Sequence, residues 1–399
     1  MITDSNKTMT LILILVLTQL LFPASTAQDL TSVIPGLQGL PAPDWVREGT
    51  RMSYYSATAD VPLANEKFIF DEEGDWVGQT TGKKYRREEI FGAAGHGVTQ
   101  VDVLYVDQRT SALKINSWLY SSFTGPLVPI KQAYAIGLAA GGDWYIHPNA
   151  LANLADRHGG GVIVLRMPYT IEGVTYDAVR IQQESETATF AHIYDLQDGK
   201  LLATFNSVAS ADKMSTVFAY AIFQGVRQMD LPWLGMDLPD WVRTAKVLRY
   251  EGTKTYEAIR AGVVMPGSVV IEMRINDATK KYYTYTQSVS FYVPGFPLQY
   301  GQETLAGGIG EPGGLGLPIA ALARLQNGQI IDIDPITGIT TKVVDVDQDY
   351  SGLNLVVIQS ANQAYSAQMT YDVSTGTMVS FNEIKRGAES NEYADMKLA

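Results

Sequence analysis

The chain has 399 residues, a formal net charge of −12 and no cysteine. Without cysteine there is no disulfide framework, no thiolate catalysis and no Cys-ligated metal. The acidic balance argues against nucleic acid as a partner, whose phosphates need a basic surface, and against charge-driven binding to an anionic membrane.

Lys7 precedes an apolar run, Leu11 to Phe22, which is shorter than the ~20 residues a bilayer span needs. Pro23-Ala24-Ser25-Thr26-Ala27 follows, with small residues at the −3 and −1 places for cleavage after Ala27. The pattern predicts a secretory signal peptide over 1–27 and an exported protein: extracellular, cell-surface or periplasmic. An uncleaved anchor is the alternative reading. No cysteine near Ala27 means no lipid-modified N-terminus there, and no later stretch is apolar enough to span a membrane.

Beyond the signal the chain repeats itself. Pro43-Asp44-Trp45-Val46-Arg47 returns as Pro239-Asp240-Trp241-Val242-Arg243. Tyr194-Asp195-Leu196-Gln197-Asp198-Gly199-Lys200-Leu201 returns in outline as Tyr371-Asp372-Val373-Ser374-Thr375-Gly376-Thr377-Met378. The first pair is offset by 196 residues and the second by 177, while Val106–Thr110 faces Ile275–Thr279 at 169. These offsets predict two homologous domains, 28–227 and 228–399. The first carries 27 extra residues between about 58 and 100; the second gains 8 between Asp334 and Gly352. The length suits two domains with cores of their own.

In chain order, Trp45 stands just before the first strand. We expect it, like Trp241, to be mostly buried, with Arg47 or Arg243 paired to a nearby carboxylate. The extra residues of the first unit include Asp71–Trp76 and Lys83–Glu89, charge runs that predict an exposed hairpin or loop. Asn149 to Asp156 after Pro148 predicts a short helix, and Ile319 to Leu325 after Pro318 predicts its counterpart. Gly159 and Gly328 are expected to end them. The Asp-Leu-Gln-Asp-Gly and Asp-Val-Ser-Thr-Gly segments predict tight turns between strands, with Gly199 and Gly376 at positive φ. Val217 to Phe223 predicts the last strand of the first unit. Ser268 to Ile275 alternates as a half-buried strand does, and Thr284 to Val293 is rich in Thr, Tyr and Val. Gly307 to Gly314 is glycine-rich but has no phosphate-binding Lys; it predicts a flexible turn. The fold class is therefore all-β with short helices: a tandem duplication of an antiparallel, strongly curved sheet or partial barrel.

Tyr194, Asp195, Gly199 and Leu201, and again Tyr371, Asp372, Gly376 and Met378, resemble the strand–turn–strand of the bacterial periplasmic lipoprotein-carrier superfamily. The likeness covers about eight residues per half. It implies a sheet wrapped around short helices, with an apolar hollow for acyl chains. That family is usually a single unit, whereas this chain has two.

Candidate chemistry is sparse. His96, His147, His158 and His192 all fall in the first unit without ligand spacing. Asp345, Asp347 and Asp349 alternate as the first ligands of a calcium loop do, with Asp332 and Asp334 near in sequence. The sixth-position glycine and twelfth-position glutamate of such a loop are missing, so a solvated strand with Val344 and Val346 inward competes. Glu184 and Glu186 share one strand, whereas a glycosidase pair normally comes from two. The leading expectation is a non-catalytic binding protein with no cofactor, taking an apolar or amphiphilic ligand such as a lipid in the sheet's hollow. A structural or adhesive envelope protein comes next, with the two domains packed together and their hollows filled. An exoenzyme is third.

Overall fold

The computed structural model describes residues 34, 36–61, 68–71, 75–86, 89–90, 95–121, 125–209, 215–348, 352–387 and 390–399. The expected signal segment lies outside the described residues. Strands of the first half are β1 (Thr50–Val61), β2 (Phe68–Phe70), β3 (Trp76–Gly78), β4 (Lys84–Tyr85), β5 (Gly95–Val106), β6 (Thr110–Tyr120) and β7 (Leu127–Leu138). They continue with β8 (Arg157–Gly159), β9 (Val162–Ile171), β10 (Val174–Glu184), β11 (Ala188–Asp195), β12 (Leu201–Ala209) and β13 (Thr216–Gln228). The second half has β14 (Val247–Ala258), β15 (Val263–Ala278), β16 (Tyr282–Tyr292), β17 (Gln299–Gly308) and β18 (Ile330–Ile333). It ends with β19 (Thr340–Gln348), β20 (Asn354–Ala361), β21 (Tyr365–Asp372), β22 (Thr377–Arg386) and β23 (Ser390–Leu398).

Two ten-stranded sheets result, ordered β7-β6-β5-β1-β13-β12-β11-β10-β9-β8 and β17-β16-β15-β14-β23-β22-β21-β20-β19-β18. The orders are the same strand for strand, as a duplication requires. Each sheet packs one face, the inner face, around a short helix. Pro148–Ala152 places Leu151 against Tyr54, Val103, Val179 and Tyr194. Ile319–Leu322 places Leu322 against Tyr250, Tyr285, Val356 and Tyr371. Because residues from both ends of the strand order meet in one core, each sheet must curl. The helices are shorter than predicted, and the first is not ended by Gly159: Arg157–Gly159 has already become β8.

The predicted loop of the first unit is a small sheet. β2, β3 and β4 form three strands that lie on the outer face of the main sheet. Phe68, Phe70 and Trp76 pack there against Ala191, Ile193, Phe205 and Phe218. Among the described residues the second copy has no such cover, and its side chains show why. The positions equivalent to Ala191, Ile193, Ala203 and Phe205 are Gln368, Thr370, Ser380 and Asn382, all half-buried. An apolar outer face needs a second layer; a polar one can face water. Of the two charge runs, Lys83, Lys84, Arg86 and Glu89 are exposed, Asp71 and Asp75 are half-buried and 72–74 and 87–88 lie outside the described residues, while Phe68, Phe70 and Trp76 are buried.

The extra residues of the second unit join the halves. β8 and β9 are linked by two residues, 160–161, whereas β18 and β19 are linked by six, 334–339. That longer turn reaches the outer face of β1, β5 and β13. Arg51 forks onto Asp102 (Nε–Oδ1 2.6 Å, Nη2–Oδ2 2.8 Å) and donates Nη1 to Asp334 at 2.9 Å. Arg227 grips Asp332 with two bonds of 2.7 Å and Asp334 with one of 3.0 Å. Asp334 Oδ1 meanwhile accepts from the backbone N–H of Ile336 and Thr337, which shapes the turn. Two cations face three carboxylates, and neutral donors take up the surplus: Gln100 Nε2 on Asp334 (2.9 Å) and Asn116 Nδ2 on Asp102 (3.3 Å). Beside this knot Lys114 pairs with buried Glu311. Leu104 and Ala112 pack on Tyr282 and Ala306, and Trp118 stacks edge-on against Tyr365.

The glycine-rich segment is also part of this seam, not a flexible turn. Gly307, Gly308 and Gly310 are buried. A Cβ at Gly310 would stand 2.0 Å from the carbonyl oxygen of Val103, and one at Gly307 2.4 Å from the Tyr283 hydroxyl. Close backbone approach explains these glycines.

Candidate functional site

The two repeated words are tied to each other in space. Trp45 Nε1 donates to the carbonyl of Asp198 at 2.8 Å, and Trp241 Nε1 to that of Thr375 at 2.9 Å. Asp195 and Asp372 each accept the backbone N–H two residues on, and Gly199 and Gly376 stand at φ +77° and +71°. A Cβ on Gly199 would lie 1.7 Å from the Ile146 oxygen, so only glycine fits. Tyr194 and Tyr371 bond backbone carbonyls of the segment before each helix. The words are a clasp that closes one end of each core. Both tryptophans are half-buried rather than mostly buried as expected. Arg47 bonds Gln228 at 2.9 Å rather than a carboxylate, while Arg243 pairs with Asp240 inside its own word. Trp241→Ala is therefore expected to cost about 1–2 kcal/mol, one hydrogen bond plus partial burial. In a urea titration, a loss above 4 kcal/mol, or none, counts against the clasp.

At the helix end the hollow of each sheet is filled by side chains. Tyr54, Tyr145 and Tyr194 occupy the first; Trp233, Tyr250, Tyr283 and Tyr371 occupy the second. Towards the hairpin tips, the inner face of the second sheet changes character. Tyr365, Lys385 and Glu392 lie on β21, β22 and β23 in register, and Glu383 follows two residues from Lys385. Lys254 on β14 bonds Glu392 at 2.9 Å, and Lys385 pairs with Glu383 at 3.2 Å. Glu303 comes from the edge strand β17, and Lys131 from β7 of the first unit, which touches β17, β21 and β22. Phe291 and Tyr256 stand half-buried on the same inner face.

This mouth holds three lysines and three glutamates in partial contact with water. Burial raises the pKa of Glu303 against the opposing pull of Lys131 and Lys385. Burial also disfavours charge on Glu392, but Lys254 and Lys385 outweigh it and lower its pKa. Lys385 is held protonated in spite of burial by Glu383, Glu392 and Glu303. The balanced ring suits a ligand carrying both signs of charge. The sequence did carry a signal for it. On β22, Phe381, Glu383 and Lys385 share one face, so the inward positions turn from apolar to charged along the strand. Reading that signal required the register.

The other candidates are dispersed. His96 Nδ1 bonds the Tyr55 hydroxyl at 2.8 Å. His147 accepts from Asn149 N at its helix start, and His158 is exposed on β8. His192 is buried, which lowers its pKa, and stacks on Tyr194. Glu184 is half-buried and Glu186 exposed beside the β10–β11 turn. Asp345 is exposed on β19 and Asp347 lies on the same extended strand; Asp349 falls outside the described residues. Val346 is exposed, not inward, because the pairing slips between Val343 and Asp345. Asp332 and Asp334, offered as further calcium ligands, are taken by Arg227 and Arg51. Among the described residues no three His, Asp or Glu side chains converge as a metal site, and no helix is long and apolar enough to cross a membrane. A shallow open groove of about 350 Å³ runs along β9 and β10 beside Arg166 and Asp177, and Arg166 is committed to the helix end at Ala152 O.

No protein-family model and no curated protein matches the chain. Among solved structures, a similar chain is that of intact Ap-TbpB, with its N and C lobes. The two are 8% identical over 90% of this chain and 77% of the other, at a TM-score of 0.15. At that score the likeness carries no argument about function.

Proposed function

We propose that this chain is an exported, non-catalytic binding protein that takes the charged head of an amphiphile at the mouth of its second sheet. The observation behind this reading is the ring of half-buried Lys131, Lys254, Lys385, Glu383 and Glu392 with the more exposed Glu303 at its edge, set in an otherwise apolar inner face. Small-molecule sites are concave and mostly apolar, with a few convergent polar groups. Export rests on the 1–27 segment alone. Phosphocholine heads carry both charges and match the ring, so calorimetry with monomeric dodecylphosphocholine tests the reading. Wild-type protein should bind, and Lys254→Ala should weaken binding about tenfold, or 1.4 kcal/mol. Absence of binding by the wild type, or equal binding by the variant, sinks it.

A structural or adhesive role is the second reading. It is favoured by the tyrosines and tryptophan that fill both hollows beside the helices. Catalysis has less behind it, since Glu383 and Glu392 are each already held by a lysine.

A further inference from the structure

Two hairpins of the second sheet turn over at the same end. β14 passes to β15 between Ala258 and Val263, and β16 passes to β17 between Tyr292 and Gln299. The pairing of Ser268 with Tyr292 puts the second turn on the neighbouring hairpin, five residues short of the first turn at Val263. Stretches 258–268 and 292–302 contain one charged residue, Arg260, in a chain that is 18% charged and carries −12. Most of their large apolar side chains point into water; Val293 is buried and Met265 half-buried. Ile259, Val264, Phe296 and Leu298 are 46%, 58%, 41% and 62% exposed, and Tyr292 and Tyr300 stand behind them at 50% and 63%.

We propose that this end of the second unit docks on a lipid bilayer surface, with both tips entering the headgroup region. Isolated exposed apolar residues are ordinary, but two adjacent tips built from them form a patch. The absence of acid from both tips sets them apart from the acidic body. Pro266, Pro294 and Pro297 remove three backbone donors that would otherwise need water or a partner. Tyrosines behind a leading Phe and Leu reproduce the aromatic belt of membrane–water interfaces. Two or three residues of hairpin, at ~3.3 Å each, match the ~5–10 Å depth of interfacial insertion. A specific protein partner is the weaker occupant, since its polar rim would find a single charge on these tips. The inference stands whether or not the mouth takes a ligand.

The chain has no cysteine, so a single introduced thiol can be labelled alone. The full protein carrying Leu298→Cys with an environment-sensitive fluorophore should shift to the blue on phosphatidylcholine vesicles. The same label at Glu186→Cys, in the first unit, should not respond. Flotation should show wild-type protein on neutral vesicles at least as well as on anionic ones, because the body is acidic. The variant Ile259→Ser/Val264→Ser/Phe296→Ser/Leu298→Ser should bind at least tenfold more weakly. Residues 11–22, where retained, are common to both proteins, so the difference reports the tips. A silent label at 298, equal flotation of the variant, or a blue shift that grows with protein concentration in the absence of lipid overturns the proposal. The last of these would assign the tips to a second copy of the chain.

Discussion

Asp334→Ala is expected to destabilise the protein by about 3–5 kcal/mol, because it leaves buried Arg51 of the first sheet without one of the two carboxylates it hydrogen-bonds. The change also removes the acceptor that shapes the 334–338 turn and the third bond of Arg227. With sheets of this size the melting temperature should fall by roughly 10 °C. The effect has a pH signature. Burial opposes charge on Asp334, yet Arg51, the Thr337 N–H and Arg227 prevail and hold its carboxyl far below the usual range. A depressed pKa stabilises the folded state above the unfolded value of about 3.9, and that contribution is lost as pH falls towards the folded one. Wild type should therefore lose stability steeply below about pH 4, and Asp334→Ala should show a shallower acid limb. Thermal unfolding from pH 7 to pH 2.5 measures both. A shift under 1 kcal/mol at pH 7 would mean that the knot only breaks even with water.

Trp76→Ala is expected to cost about 3–5 kcal/mol in the first unit. Trp76 is fully buried and meets Phe218, Phe70 and Phe205 edge-on, with centroids 5.3, 5.6 and 6.4 Å away. Its removal opens the joint between the small covering sheet and the main one. Phe205 and Phe218 then approach water on a face whose counterpart in the second copy is polar. The variant should unfold early, bind a hydrophobic dye before its main transition and aggregate on warming. Gln368→Ala, at the uncovered face of the second copy, serves as the control and should stay within 0.5 kcal/mol of wild type. Wild-type melting of Trp76→Ala would make the insertion an appendage with no part in the core.

The sequence was most legible where local geometry restricts the residue type. Gly199 and Gly376 need positive φ and no Cβ; Trp45 and Trp241 need an indole that reaches the turn. Such constraints survive in both copies as words, and from their spacing come the duplication, the antiparallel pairing and the position of the extra residues. Strand identity followed from Thr, Tyr and Val enrichment and from alternation, and β13 fell where it was expected. The lipid hollow implied by the family likeness was less well judged, because nothing local says whether Tyr54, Tyr194, Tyr250 and Tyr371 line a space or fill it.

What the sequence by itself determined is thus the all-β class, the doubling and the repeated words that open and close each unit. Tertiary structure alone decided which face of each sheet is covered and by what. Arg51 and Asp334 are 283 residues apart, and Gln100 and Asp334 are 234 apart. No periodicity links such positions; they meet because one unit's longer turn happens to fit the other's outer face. The mouth was hidden for the same reason. Lys254, Glu303, Lys385 and Glu392 come from four strands and look like ordinary solvated charges until the curled sheet, with β7 of the first unit touching both β17 and β22, gathers them at one mouth. There burial raises the pKa of Glu303, while opposite charges outweigh burial at Lys385 and Glu392; that shared environment is a property of the assembled sheet and of no segment within it.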